Sequence, residues 1–378
     1  MKKMNHFWIA VLVLFALVAC STEDWYEDST WNQDLTTSTT TESNDDNTST
    51  TSTAENVVSG VSSSGDVTSF TVALNKNAIS ESVKVDTSDD DYIENTTFDK
   101  TITITFSKSG SATVSGDDLG IVAVSGNDVI ATNTSTNVIK YVLTGETSDG
   151  FFKLYSTKKQ AIVLNGVSIT NPNGAAINNQ SKKRTFIVLN DGSKNYLTDG
   201  TNYSDATDSE DMKGCFFSEG QLIFSGSGYL EVDANCKAGI RSDDYVRTMP
   251  KTNIYVDASS GNGIRGNDAV IVTGGVININ ITGTADKGIS TDGEVRIDGG
   301  RTTILTSGGY GYDSDDKDYS ACSGIKADSI ININGGEVNI KSTGTGGKGI
   351  NCDDKININD GVVRIITTGK RQKDSKGS

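Results

Sequence analysis

Histidine is missing from all but the start of this 378-residue chain: the one present, His6, lies in the leader. Its absence excludes a Ser-His-Asp triad, a Cys-His pair and histidine-ligated zinc, leaving carboxylates, Lys, Arg and Tyr for any chemistry. Tryptophan is confined to the same end, at Trp8, Trp25 and Trp31, so the body lacks a tryptophan platform. Only 2 prolines stand against 40 glycines, and hydrophobic residues reach only 35%. That balance suits β-structure with tight turns over helices. Positive charge is also scarce, with 33 Lys and Arg against 49 Asp and Glu, a net −16. Nucleic acid is therefore excluded as a partner, and cations, or ligands held through cations, are favoured. No CxxC or other metal-type cysteine spacing occurs. Cys215, Cys236, Cys322 and Cys352 are scattered, and read as buried small side chains rather than disulfides.

The one long apolar run, FWIAVLVLFALVA, follows Lys2 and Lys3 and is too short to span a bilayer comfortably. It ends in Leu17-Val18-Ala19-Cys20, which resembles a bacterial lipobox. An ordinary signal peptide that happens to hold a cysteine is the other reading. Residues 1–20 read as a lipoprotein signal peptide with its lipobox, which implies cleavage before Cys20 and lipidation of Cys20 as the first mature residue. The acidic STEDWYED that follows resembles the surface-export signal of Gram-negative lipoproteins. Residues 21–55 continue as a Ser/Thr/Asn/Asp tether that cannot bury a core. The expected location is a surface-exposed lipoprotein of the outer membrane, attached to the membrane through its lipid anchor.

What the chain has in abundance is repetition. Gly-Ile pairs fall at Gly239-Ile240, Gly263-Ile264, Gly288-Ile289, Gly324-Ile325 and Gly349-Ile350, in steps of 24, 25, 36 and 25 residues. Within the copy from Gly324, Ile325, Ala327, Ile331, Ile333, Val338 and Ile340 alternate with polar residues, the period-two signature of strands. Gly274-Gly275, Gly299-Gly300 and Gly335-Gly336 supply corners. Three short strands per coil cannot bury their own apolar face, so coils must stack. The fold class is all-β: a right-handed parallel β-helix of about 24–25 residues per coil over residues 91–368. An irregular β segment or cap is expected at 56–90 and a polar tail at 369–378. The last coil has no polar cap, so a truncated copy or a covering partner is expected. The calcium-binding nonapeptide solenoid is excluded by its absent repeat. Asn332, Asn334, Asn357 and Asn359 are expected to stack as amide ladders, as are Asn278, Asn280 and Asn339.

The stretch YVLTGETSDGFFKLYSTKKQAIVLNGVSITNPNGAAI, the stretch NDGSKNYLTDGTNY and the Gly-Ile-x-x-Asp-Asp coils together resemble the carbohydrate-binding parallel β-helix family of bacterial cell-surface proteins. The resemblance covers roughly residues 95–368. It implies binding of plant cell-wall polysaccharide, including acidic pectic chains and cellulose, with calcium as cofactor.

Three residues after each repeated Ile or Phe stands an acid or its amide: Glu219, Asp243, Asn267, Asp292, Asp328 and Asp353, with Asp244, Asp268 and Asp354 next to three of them. At a strand spacing of about 4.8 Å such carboxylates form a column that needs compensation. Calcium, which takes carboxylate oxygens, is one source. Arg241, Arg265 and Lys326, on the strand face shared with the acid two residues on, are another. Turn-forming aspartate is the competing reading. Asp313, Asp315, Asp316 and Asp318 in the long step begin like an EF-hand loop but lack its Gly and Glu, which leaves a looser calcium loop. Tyr310, Tyr312 and Tyr319 flank them and suit sugar rings, or else lie idle on the flank of a coil.

The sequence thus reads as a non-enzyme that binds polysaccharide, an acidic glycan favoured, along a calcium-bearing face. Other surface glycan-uptake proteins are compatible partners. Two alternatives stay open: a pectate-lyase-like eliminase using calcium and an Arg or Lys base, and a structural adhesin.

Overall fold

The computed structural model describes residues 71–372, except 205, 208 and 314–316. Among them there is no α-helix, only a short 3-10 turn at Ile93–Asn95, and strands run from Lys100 to Thr367. One coil illustrates how the repeat folds. Ile264–Gly266, Ala269–Val272 and Val276–Ile281 are its three strands. Ile264, Val270, Val272, Ile277, Ile279 and Ile281 point into the core and are buried, while the residues between them face outward. Asn267-Asp268 and Gly274-Gly275 make the corners. Gly275 lies at φ 94°, as do Gly300 (75°), Gly336 (77°) and Gly361 (95°) at the same corner of later coils. Glycine adopts that left-handed conformation without a Cβ penalty.

Within the repeated coils each strand pairs in parallel with its counterpart one coil away, while Thr113–Ser115 and Val122–Ser125 pair antiparallel near the start. Ile240, Ile264, Ile289, Ile325 and Ile350 follow one another directly in register. The chain is thus all-β and β-helix-like. Strands of the first wall, such as Gly214–Ser218, Ala238–Ser242 and Lys287–Thr291, form a 10-stranded sheet. Those of the second wall (Tyr245–Thr248 and its equivalents) and the third (Asn253–Ala258 and its equivalents) belong to an 18-stranded sheet. The apolar filling is one continuous cluster from Ile102 to Ile340, as a stack of interdependent coils requires.

The 36-residue step does not disturb the register, because Lys287 still pairs with Ser323 and Ile289 with Ile325. Its extra residues fold outward as an antiparallel hairpin, Gly311–Asp313 against Asp318–Ser320. The amide ladders form on the second wall, where Asn357 donates to Asn332 at 2.7 Å and Asn359 to Asn334 at 2.8 Å. The set Asn278, Asn280 and Asn339 does not stack directly: Thr303 separates Asn278 from Asn339, and Asn280 donates to Asp257 instead.

The segment expected as irregular β at 56–90 holds no strand in its described part, residues 71–90. It runs as a strap over the coils, held through their outward side chains. The Asn278 amide both accepts from the Asn75 N–H and donates to the Asn75 carbonyl. Arg301 donates to the carbonyls of Asn75 and Asn77, and Glu81 accepts from the N–H of Lys251 and Gly275. Lys76 sits 3.6 Å over the Tyr255 ring and 3.3 Å from Glu231. Where the strap turns toward the second wall, buried Asp91 accepts from Arg184, Arg247 and Tyr245 at 2.8, 2.9 and 2.6 Å. Cys215 and Cys322 are buried, Cys236 and Cys352 half-buried, and all four are free thiols.

Candidate functional site

On the first wall the residue after each repeated Ile (or Phe216) forms one outward file: Phe217, Arg241, Arg265, Ser290, Lys326 and Asn351. The acid positions two residues on form a second file, linked coil to coil by backbone hydrogen bonds such as Asp243 N–H to Ser218 and Asp353 N–H to Ala327. The two files interleave. Arg265 reaches across to Asp292 at 2.7 Å, and Lys326 bridges Asp328 at 2.8 Å and Asp353 at 2.7 Å. Arg241 Nε lies 3.9 Å from Asp243. Of the two sources of compensation open to the acid column, basic side chains therefore serve Asp292, Asp328 and Asp353, which gather no third carboxylate around them.

The doublets behave differently from one another. Asp244 turns toward the second wall, where Gln221 donates to it at 2.5 Å, and burial holds its carboxyl above the usual range with help from Asp268 one coil on. Asp354 is three coils from Asp268 and exposed, so no pair forms there.

Among the described residues, one place does collect carboxylates. Asp211, Glu219 and Asp243 bring oxygens within 4.8 Å of one another. Lys213 stands among them, 2.6 Å from Asp211 and 2.7 Å from Asp243. Burial, then the Asp243 charge, pushes the Glu219 carboxyl above the usual range. Asp211 and Lys213 come from the acidic loop that precedes Gly214–Ser218, as does Glu210, which accepts from Lys153 at 3.0 Å and Tyr155 at 2.6 Å. The sequence pattern pointed to no role for Glu210, Asp211 or Lys213; the Lys placed just before a Gly-Cys-Phe strand was the available signal.

The hairpin carries the tyrosines. Tyr310, Tyr312 and Tyr319 are 42, 55 and 61% exposed, far more than the other ring side chains of the wall. Tyr310 stacks on Tyr319 with centroids 6.0 Å apart, and Tyr312 meets Tyr319 edge-on at 5.5 Å. Asp313 is not a free ligand: its carboxylate is paired with the buried ammonium of Lys287, which also donates to Ser320 at 2.8 Å. Asp318 is exposed and accepts from the Tyr319 N–H. Asp315 and Asp316 lie outside the described residues, as does Cys20.

A family model described as carbohydrate-binding domain-containing protein matches residues 125–285 and 278–374, which take in both the wall and the hairpin. The chain belongs to that family. A carbohydrate-binding domain-containing protein of Acetivibrio thermocellus is 32% identical over 149 residues, 38% of this chain and 50% of the relative. The chain thus spans half the length of the curated relative it matches. A solved structure of a polysaccharide lyase-like protein from C. thermocellum, a gadolinium derivative, is similar over 70% of this chain and 100% of its own, with a TM-score of 0.57 and 28% identity.

The carboxyl groups of this family member give it a pH signature. Burial raises the carboxyls of Asp199, Glu219, Asp233 and Asp244. Groups raised in the folded state favour folding at low pH and lose that contribution as pH rises through their folded values. Hydrogen bonds and cations lower Asp86, Asp89, Asp118, Asp191 and Glu210, and their contribution is lost only as pH falls below the ordinary carboxylate range. The expected result is a melting temperature that rises on acidification from pH 7.5 and peaks just above that range. Calorimetry in matched buffers checks it, and a maximum at or above neutrality contradicts it.

Proposed function

We propose that this carbohydrate-binding protein holds acidic polysaccharide, of the pectic or polyuronate type, non-catalytically along the first wall of a right-handed parallel β-helix. The handedness follows the general rule for crossovers between parallel strands of one sheet. The observation that carries the reading is the interleaved file: Arg265 and Lys326 each clamp carboxylates, some more than half exposed. A uronate carboxylate can exchange for an aspartate in such a clamp, and an Arg fork suits it. Repetition at coil spacing matches a repeating polymer by multivalency. The hairpin tyrosines supply flat surfaces for sugar rings.

Calcium fits one set of donors here, Asp211, Glu219 and Asp243, with Lys213 as the competing cation. Bound there it would supply positive charge for a glycan carboxylate. The cell-surface lipoprotein location, with Cys20 as anchor, belongs to the same reading.

Affinity electrophoresis on polygalacturonate gels tests it. Wild type should be retarded, more so with calcium than with chelator, and the double variant R265E/K326E should lose at least tenfold in affinity. Calcium enhancement should fade on acidification, starting above the ordinary Glu range because Glu219 must be deprotonated to serve as a ligand. Unretarded wild type refutes the proposal. The second reading, a lyase, is favoured by the description of the solved relative. Growth of unsaturated-uronide absorbance during incubation would establish it.

A further inference from the structure

We propose that the 36-residue step of the repeat builds a pocket for a single uncharged sugar ring beneath Tyr312. The proposal rests on the polysaccharide reading above and adds a subsite to it. A regular coil wall is flat and offers only repeated outward groups. Here the hairpin stands over the corner of three successive coils and encloses a cavity of about 190 Å³. That is below the ~300–1,000 Å³ of pockets for drug-sized ligands and leaves room for one ring, not a chain.

The lining is built for hydroxyl groups. Ser259, Ser260 and Thr284 line it together with the carboxylates of Asp286 and Asp313, and Tyr312 closes one side. Carboxylates accept several hydrogen bonds each, which suits a ligand rich in O–H donors. Glycines keep the space clear. Gly261 sits at φ 80°, and a Cβ on Gly283 would strike the Asp286 carboxylate. A Cβ on Gly311 would strike the Thr284 methyl.

Charge decides the class of sugar. Among the described residues, Lys237 on the lining and Lys287 behind Asp313 offset the charges of Asp286 and Asp313, so these four groups together leave no net charge to draw an ion. A uronate would bring its carboxylate against two others, whereas a neutral hexopyranose brings only hydroxyl groups to them. The Lys287–Asp313 pair and the Lys287–Ser320 hydrogen bond fix the hairpin, so the Tyr312 ring is in place before a ligand arrives. This pocket therefore reads a neutral residue or branch of a glycan, while the basic file reads its acids.

Saturation-transfer NMR on the full chain tests this, with methyl glycosides of glucose, galactose and mannose as probes and methyl galacturonide as the charged comparison. At least one neutral glycoside should give transfer, the galacturonide markedly less, and Tyr312→Ala should weaken the neutral ligand at least tenfold at an unchanged melting temperature. Polygalacturonate retention of wild type, run in parallel, reads the wall separately. Retention without any neutral-glycoside transfer overturns the pocket and spares the wall. Neutral binding that Tyr312→Ala leaves intact, or that the galacturonide equals, overturns it too. Neutral binding without retention upholds the pocket and refutes the wall.

Discussion

Gly263→Val should destabilise the fold by about 3 kcal/mol or more, the upper end of what overpacking a core costs. A Cβ at this position would lie 2.5 Å from the Ile279 Cγ2 methyl and 2.6 Å from the Gly288 carbonyl oxygen. The methyl belongs to a buried strand of the third wall and the carbonyl to the next coil of the first, so neither can retreat without breaking a parallel ladder. Valine adds further atoms at the same spot. Gly349 provides the internal control: a Cβ there meets the Ile365 side chain but no carbonyl of a following coil, and Ile365 is 40% exposed. Gly349→Val should therefore cost less than half as much. Urea unfolding of both variants reads the difference, and equal losses would show that close approach between walls is not what glycine provides.

The strap yields the second large effect. Asp91→Ala removes the common acceptor of Arg184, Arg247 and Tyr245, all of which stay at least partly buried. Removing one partner of a buried ion pair costs about 3–5 kcal/mol, because the charges left behind lose their compensation. Asp89, 2.7 Å from Arg247, softens the loss for that guanidinium, while Arg184 keeps the exposed Asp90 at 3.8 Å. A value near 3 kcal/mol is expected, together with earlier proteolytic cleavage between residues 71 and 91. If the strap stays protected and the melting temperature holds, the knot at Asp91 is incidental to the fold.

The coils were legible in the sequence for a physical reason. Inward Ile and Val recur because every coil fills the same section of core, and Gly-Ile recurs because every coil brings two walls together at the same corner. Periodic causes leave periodic traces. The strap has no such trace: Asn75, Glu81 and Asp91 find partners 93 to 226 residues away through contacts that do not recur from coil to coil. The acid column was likewise legible as a file, and so were the bases beside it. What sequence could not show was how they share charge, since Arg265 serves the coil after its own and Lys326 serves two. Asp313 read as a calcium ligand because its partner Lys287 is 26 residues earlier, at the head of the coil that carries the hairpin. Lys213 and Asp211 were hidden in an aperiodic loop that folds back over the wall.

The hairpin at 311–320 leaves the register of its neighbours untouched on both sides. A coil stack can therefore accept new outward loops one at a time, at almost any corner, without renegotiating its core. Exchanging this hairpin for another pinned by the same lysine would retarget the surface while the scaffold beneath stays the same.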